Sequence, residues 1–182
     1  PPTLPPPTNG LVLKHVAIGR GSQNYTCLGD QEEKPSAIGA TAILFNASCI
    51  ALEDRTKLAK LSNDALNIDM TDCQKEAMTF SSLNVSGRHY FRNTKTAIFD
   101  LHTAVSDLGT AAVSKQNSAP PPSNAIVGRN GKGFGAVPWL RLLSVDKDAH
   151  QLKEVYRINT AGGNPPQTCA NMPKAFEVQY SA

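Results

Sequence analysis

The sequence predicts an all-β, antiparallel fold, a barrel or a two-sheet sandwich, with one short helix, long loops and disulfide bonds. Short runs of strand-forming residues recur between turn residues along most of the chain, and only residues 50–66 have apolar residues at helical spacing. A parallel α/β fold needs a crossover helix between successive strands, and the sequence has no such repeated helices. The predicted strands are 23–28, 37–45, 77–80, 88–91, 97–101, 109–114, 137–145 and 151–160.

The 182 residues are enough for a single domain. Residues 1–10 contain five prolines and are predicted to form an extended N-terminal segment. The remaining residues, 11–182, contain no repeat or linker and are predicted to form one β domain. Within it, the Gly-Arg-Gly run at 19–21 is expected to bend the chain.

Composition argues against several classes of function. The net charge is +3, and the basic residues are scattered rather than clustered into a stripe that could follow a phosphate backbone. No apolar run approaches the roughly 20 residues that cross a bilayer. The glycine-rich run 128–135 lacks the spacing of a nucleotide loop, because Lys132 is followed by Gly133 rather than by Ser or Thr. We therefore expect no nucleic-acid partner, no membrane span and no cofactor.

Four cysteines, Cys27, Cys49, Cys73 and Cys169, are widely spaced and contain no CxxC pair. Zinc sites draw cysteine ligands as close couplets, so disulfides are the better interpretation. Four cysteines allow three pairings. We favour Cys27–Cys169, which joins an early strand to a late loop, with Cys49–Cys73 closing a local loop.

Three N-x-S/T sequons begin at Asn24, Asn46 and Asn84, and two of them directly precede a cysteine. The sequence also begins with PPTLPPPTNG rather than with Met. Together with the even cysteine count, these features predict a secreted, extracellular glycoprotein whose signal peptide has been removed.

Three segments carry a family resemblance: QNYTC at 23–27, VPWLRL at 137–142 and YRINTAGGNPPQTC at 156–169. In this order they resemble a family of secreted fungal and bacterial proteins of unknown function, from about residue 11 to the end. Fungal members of that family are often labelled malate dehydrogenase. That label is not supported here, because the strand, glycine loop and helix of a nucleotide fold are absent. The resemblance implies an extracellular protein of fungal type.

One candidate metal site lies around the segment AIFDLH. Asp100 and His102 alternate along a predicted strand and would share a face. With His89 they would make a two-histidine, one-carboxylate metal site. The alternative is a polar strand face with ordinary histidines.

A second set of candidates would bind a ligand. Arg157 and Asn159 alternate on one predicted strand and, with Gln23, form our best candidate for a polar cluster. Tyr25 and Trp139 are candidates for a surface that stacks on sugars or apolar ligands. The alternative roles are structural, with the arginine and amides bonding the backbone of the Gly-Gly loop and the aromatic rings in the core.

These observations favour a non-catalytic binding protein that acts outside the cell on a cell-wall polysaccharide, another carbohydrate or a small ligand. A secreted hydrolase or metal-dependent enzyme is the alternative. No G-x-S-x-G elbow or selected pair of acids supports catalysis, so the sequence identifies no catalytic residue.

Overall fold

The computed structural model describes residues 3–68, 83–146 and 152–182. In these residues the predicted all-β fold is confirmed: antiparallel strands form one curled, half-barrel sheet. The strands are β1 (Ala17–Thr26), β2 (Ser36–Asn46), β3 (Val85–Phe91), β4 (Ala97–His102), β5 (Asp107–Ala119), β6 (Trp139–Ser144), β7 (Glu154–Arg157), β8 (Ala161–Gly162) and β9 (Ala175–Ser181). The helices are α1 (Ser48–Glu53) and α2 (Arg55–Asn67), with one 3₁₀ turn at Arg129–Gly131.

Strand order explains why the sheet curls back on itself. From β1 to β7 each strand pairs with the next along the chain, and β9 then pairs with β1. The segment before β6 meets the region of β8: Ala136 bridges Gly163, and the Val137 amide donates to the Gly162 carbonyl at 2.9 Å. The curl therefore has an interior face and an outer face.

The interior face carries the larger apolar core. Leu44, Val113 and Leu142 are among its buried residues. Nearby, small side chains at Ala40 and Ala42 pack with Val137 and Tyr180. The small side chains leave room inside the curl for larger polar ones.

A second core lies on the outer face, beneath α2. Leu61 and Ala65 on this helix pack against Ile18 and Phe45 of the sheet. The predicted single short surface helix is therefore two helices in the described chain, and one side of α2 is buried. Asp54 caps its first turn by accepting a hydrogen bond from the Lys57 amide at 2.8 Å.

Several boundaries differ from the prediction. The Gly-Arg-Gly run does not bend the chain but lies inside β1, where a Cβ on Gly21 would be 1.8 Å from the Thr41 carbonyl oxygen. Glycine is needed there for close strand contact rather than for a turn. Strand β7 ends at Arg157, sooner than predicted, and β9 was not predicted. The predicted strand at 77–80 lies outside the described residues.

The predicted disulfide Cys27–Cys169 is confirmed, with a Cα–Cα distance of 5.7 Å. It joins the end of β1 to the loop before β9. Cys49 is exposed in α1. Its predicted partner, Cys73, lies outside the described residues, so the Cys49–Cys73 pairing stays a prediction.

The three sequon asparagines differ in accessibility. Asn46 and Asn84 are both exposed. They are neighbours, because the backbone N–H of Asn46 donates to the backbone carbonyl of Asn84 at 2.8 Å. Asn24 is half-buried in β1, between two paired strands. Among the described helices, none is long and apolar enough to span a membrane.

Candidate functional site

A cluster of polar side chains occupies the interior of the curled sheet. We call it the interior cluster; it consists of Gln23 and Tyr25 from β1, His89 from β3, Arg157 from β7 and Tyr180 from β9. Three of its members, Gln23, Tyr25 and Arg157, are among the five predicted binding residues. The sheet thus brings together side chains that are far apart in the sequence.

Contacts around Gly163 fix part of this arrangement. The Tyr25 hydroxyl donates to the Gly163 carbonyl at 2.8 Å. A Cβ on Gly163 would lie 2.8 Å from the Cβ of Tyr180 and 3.2 Å from the Cγ of Gln23. Since Gly163 has a φ of 96°, both its backbone and its surroundings favour glycine. The Gly-Gly loop therefore forms one wall of the interior cluster.

Arg157 is the charged member of the cluster, and it is poorly paired. Its Nη2 donates to the Pro138 carbonyl at 2.8 Å, while its buried Nε has no hydrogen-bond partner among the described residues. Among the described residues, no carboxylate forms an ion pair with Arg157. Burial lowers the pKa of Arg157, and its interactions with Tyr180 and Tyr25 act in the opposite direction.

The two tyrosines and Gln23 add neutral polar groups. Burial raises the pKa of Tyr25 to about 12 against the opposing charge of Arg157, and burial also raises the pKa of Tyr180. Both rings are therefore uncharged at neutral pH. Gln23 is only 7% exposed, and its buried Nε2 makes no hydrogen bond of good geometry in the described chain, although its weaker contact with the Tyr180 hydroxyl lowers the pKa of that tyrosine. A buried donor without a good partner is costly, so this arrangement needs an explanation.

His89 is a neutral member of the cluster. Its Nδ1 lies 2.9 Å from the Ile98 carbonyl, which only accepts, so Nδ1 carries the proton and donates it. The ring stacks on Phe99 at 4.3 Å and meets the edge of Phe91 at 5.4 Å. Burial lowers the pKa of His89 to about 4, the Ile98 hydrogen bond opposes this, and the charge of Arg157 adds to it. The Nε2 of the neutral ring is a potential acceptor.

The interior cluster has an excess of hydrogen-bond donors. Arg157 Nε has a proton without a described acceptor, Gln23 Nε2 is poorly bonded, and no described carboxylate balances the arginine. A group that brings oxygen atoms would satisfy both donors. The arrangement is suited to holding a ligand.

The predicted metal residues are divided between the two faces of the sheet. Asp100 and His102 do lie together on the outer face, with His102 Nδ1 2.7 Å from Asp100 Oδ1. Arg88 pairs with Asp100 and His89 with Phe99, so strand alternation puts His89 on the interior face. Among the described residues, no group of three His, Cys, Asp or Glu side chains is arranged to hold a metal.

His102 is instead held between two carboxylates. Its Nε2 lies 2.9 Å from Asp107 Oδ1, opposite the Asp100 contact. The Asp100 hydrogen bond raises the pKa of His102, with a further contribution from the charge of Asp107, and lowers the pKa of Asp100 itself. An open cleft of about 350 Å³ lies beside this pair. It is lined by Val85, Gly87, Arg88, Asp100, His102 and Thr103.

The other two predicted binding residues lie apart from the interior cluster. Trp139 precedes Leu140, which pairs with Arg157, so within β6 it projects from the opposite face. Its buried Nε1 has no hydrogen-bond partner among the described residues. Asn159 follows the end of β7 with a φ of 52°, so the strand alternation that would align it with Arg157 does not reach it.

Sequence reasoning missed Tyr180 and one ion pair. Tyr180 could have been found from the alternation of Phe176, Val178 and Tyr180 in the last strand. The ion pair joins Arg141 and Glu154 on the outer face, with Nη2 2.7 Å from Oε1. No spacing rule links these two residues, because their pairing depends on the register of β6 and β7.

Comparison with known proteins gives a family and no activity. Neither the comparison with curated proteins nor that with solved structures found a match. The model of one family, described as "Protein of unknown function (DUF3455)", matches residues 7–182, which is nearly the whole chain. The chain belongs to this family of unknown function, which confirms the prediction that it is a member of such a family.

Proposed function

We propose that this protein is a non-catalytic binding protein that acts outside the cell and holds a small molecule inside its curled sheet. The observation that carries the proposal is the buried Arg157 Nε, which has no hydrogen-bond partner among the described residues, together with the poorly bonded Gln23 Nε2. Native interiors pair almost all their buried polar atoms, so poorly paired donors in one cluster indicate a missing partner. Curled and closed β sheets of this size are able to hold one small ligand.

The interior position favours a small ligand over a cell-wall polysaccharide. A polymer needs an open groove, whereas Gln23 and Tyr180 are almost fully buried. Arg157 is partly exposed, so the cluster borders solvent at this residue. The protein would therefore enclose its ligand rather than lie along a surface.

Action outside the cell is supported by two observations. The Cys27–Cys169 disulfide is of a kind that persists in oxidising compartments. The sequon residues Asn46 and Asn84 are exposed, as glycan acceptors must be. Glycosidase treatment of protein secreted from a eukaryotic host, followed by peptide mass spectrometry, tests this part. Unmodified asparagines at all three sequons would count against it.

The binding proposal is tested by native mass spectrometry of the folded protein, purified without small-molecule additives. We expect a bound compound, or a stable complex on incubation with a broad metabolite panel. Exchange protection should increase at β1, β7 and β9. If no compound in the panel binds, or if binding protects only the outer face, the proposal is wrong.

A second candidate function is metal-dependent or hydrolytic catalysis at the outer cleft. It is favoured by the cleft itself and by His102, which two carboxylates position. Elemental analysis of native protein and a hydrolase substrate panel test this candidate. Stoichiometric metal, or turnover that is lost in His102→Gln, would favour catalysis over simple binding.

A further inference from the structure

The charge of the interior cluster specifies the chemical class of its ligand. Arg157 is the cationic member, and Tyr25, Tyr180 and His89 are all neutral near pH 7. No described carboxylate lies against it to balance the charge. An unbalanced cation in a poorly solvated space attracts an anion strongly.

The hydrogen-bonding groups point to the same class. Arg157 Nε lacks an acceptor among the described residues, and Gln23 Nε2 has only a contact with the Tyr180 hydroxyl that falls short of good hydrogen-bond geometry. A carboxylate or phosphate has several acceptor oxygens and no need of a donor. An amine or other cation would leave both donors unsatisfied and would be repelled by Arg157.

The walls of the cluster limit what accompanies the anionic group. Phe91 and Phe99 flank His89, and Ala40 and Ala42 lie on the neighbouring strand β2. These apolar groups would contact a short hydrocarbon portion of the ligand. The site is therefore amphipathic, with charge at Arg157 and apolar surface around it.

We propose that the interior cluster binds a small organic oxyanion, a carboxylate or a phosphate ester, whose charged end contacts Arg157 and Gln23 and whose short apolar part contacts the aromatic side of the interior. This assignment rests on the proposed function, because it names the ligand class of the same site. Carboxylates and phosphate esters share the chemistry that the cluster recognises.

The experiment uses probes that each contain four carbon atoms and differ in their polar group and charge. Butyrate, butyl phosphate, butyramide and butylamine are titrated against the folded protein by calorimetry, in a buffer without carboxylate or phosphate. We expect the two anions to bind at least tenfold more tightly than butyramide, and butylamine not to bind. The stronger of the two anions identifies which oxyanion the site prefers.

Matched variants locate the effect. Arg157→Met should lower the affinity for the anions at least tenfold, and Gln23→Leu should lower it less. Arg92→Met removes the same charge from an exposed turn residue and should leave affinity unchanged. Circular dichroism verifies that each variant folds. Should Arg157→Met not fold, the ¹⁵N shift of Arg157 Nε in the unmodified protein, which should move on addition of butyrate, replaces that measurement.

The outcomes separate this inference from the proposed function. The anion assignment would be overturned if butyramide and butyrate bound equally well, or if Arg157→Met left the affinity for the anions unchanged. It would also be overturned if the Arg157 Nε signal did not move on addition of butyrate. Interior binding of a neutral compound would meanwhile leave the proposed function intact. Failure of every compound to bind in the interior would overturn both.

Discussion

Two arginines on neighbouring strands have opposite surroundings. Arg141 of β6 lies on the outer face, where its Nη2 and Nε contact the two carboxylate oxygens of Glu154 at 2.7 and 3.2 Å and Thr8 adds a hydrogen bond. Arg157 of β7 lies on the interior face, with the Pro138 carbonyl as its hydrogen-bond acceptor. The guanidinium of Arg141 is paired with a carboxylate, whereas the Nε of Arg157 remains available to donate a hydrogen bond to a ligand.

The histidines repeat the contrast. On the outer face His102 contacts Asp100 and Asp107, and these carboxylates raise its pKa. In the interior His89 donates to a backbone carbonyl, and its burial holds it neutral. On the outer face Arg141 and His102 thus have carboxylate partners, whereas Arg157 in the interior has none among the described residues. This difference is why we assign binding to the interior.

The largest effect should come from the disulfide that holds the interior cluster in place. Cys27 follows Tyr25 closely and is joined to Cys169 across 142 residues. A loop of that length predicts a loss of about 4 to 5 kcal/mol in the free energy of unfolding for the double variant C27A/C169A. Urea unfolding measures it, with the exposed neighbour variant Leu28→Ala as the comparison. A loss no larger than that of Leu28→Ala would contradict the prediction.

The next effect concerns the pH dependence of stability. The pKa of His89 is near 6.5 in the unfolded chain and about 4 in the folded protein, so only the unfolded state takes up the proton between these values. Stability should therefore fall by about 3 kcal/mol as pH decreases from 6.5 to 4. Urea unfolding at a series of pH values should show this slope, and His89→Gln should remove it.

His102 provides the control of opposite sign. Its folded pKa is raised, so its contribution to stability is present at low pH and is lost as pH rises through that value. His102→Gln should therefore make stability fall more steeply toward low pH. If the two histidine variants changed the slope in the same direction, the contrast between interior and outer histidines would not hold.

The two arginines should respond to removal with opposite signs. Arg157→Met removes a buried donor and an unbalanced charge. The free energy of unfolding of the ligand-free protein should therefore increase by about 1 to 3 kcal/mol. Arg141→Met leaves Glu154 without its partner and should lower the melting temperature. Thermal unfolding in ligand-free buffer compares the two. Loss of stability in both would mean that Arg157 has a structural role.

The smallest effects on stability should come from the carboxylates around His102. Asp100→Asn should lower the pKa of His102 more than Asp107→Asn does, because the hydrogen bond to Asp100 is the main cause of the raised His102 pKa. The melting temperature should change little, since these side chains are exposed. NMR titration of the His102 ring measures the pKa. An unchanged value in Asp100→Asn would show that the pair does not form in solution.

Local patterns were enough to predict much of the fold. The small and β-branched residues of β2 and the alternation of β4 identified strands close to their observed bounds. The Cys27–Cys169 pairing was favoured among three possible pairings because it joins an early strand to a late loop. Three of the five members of the interior cluster were also anticipated, because Gln23, Tyr25 and Arg157 lie in strand-forming segments.

What the sequence by itself determined is therefore the strand content, the disulfide and the residue types available for a site. Only the tertiary structure decided their grouping. His89 was expected beside Asp100, but the pairing of Arg88 with Asp100 puts it on the other face. Tyr180 joins the cluster because β9 pairs with β1. These two strands are far apart in the sequence, since 160 positions separate Arg20 from Tyr180. Strand register and sheet curvature arise from many long-range contacts acting together, and no local pattern contains them.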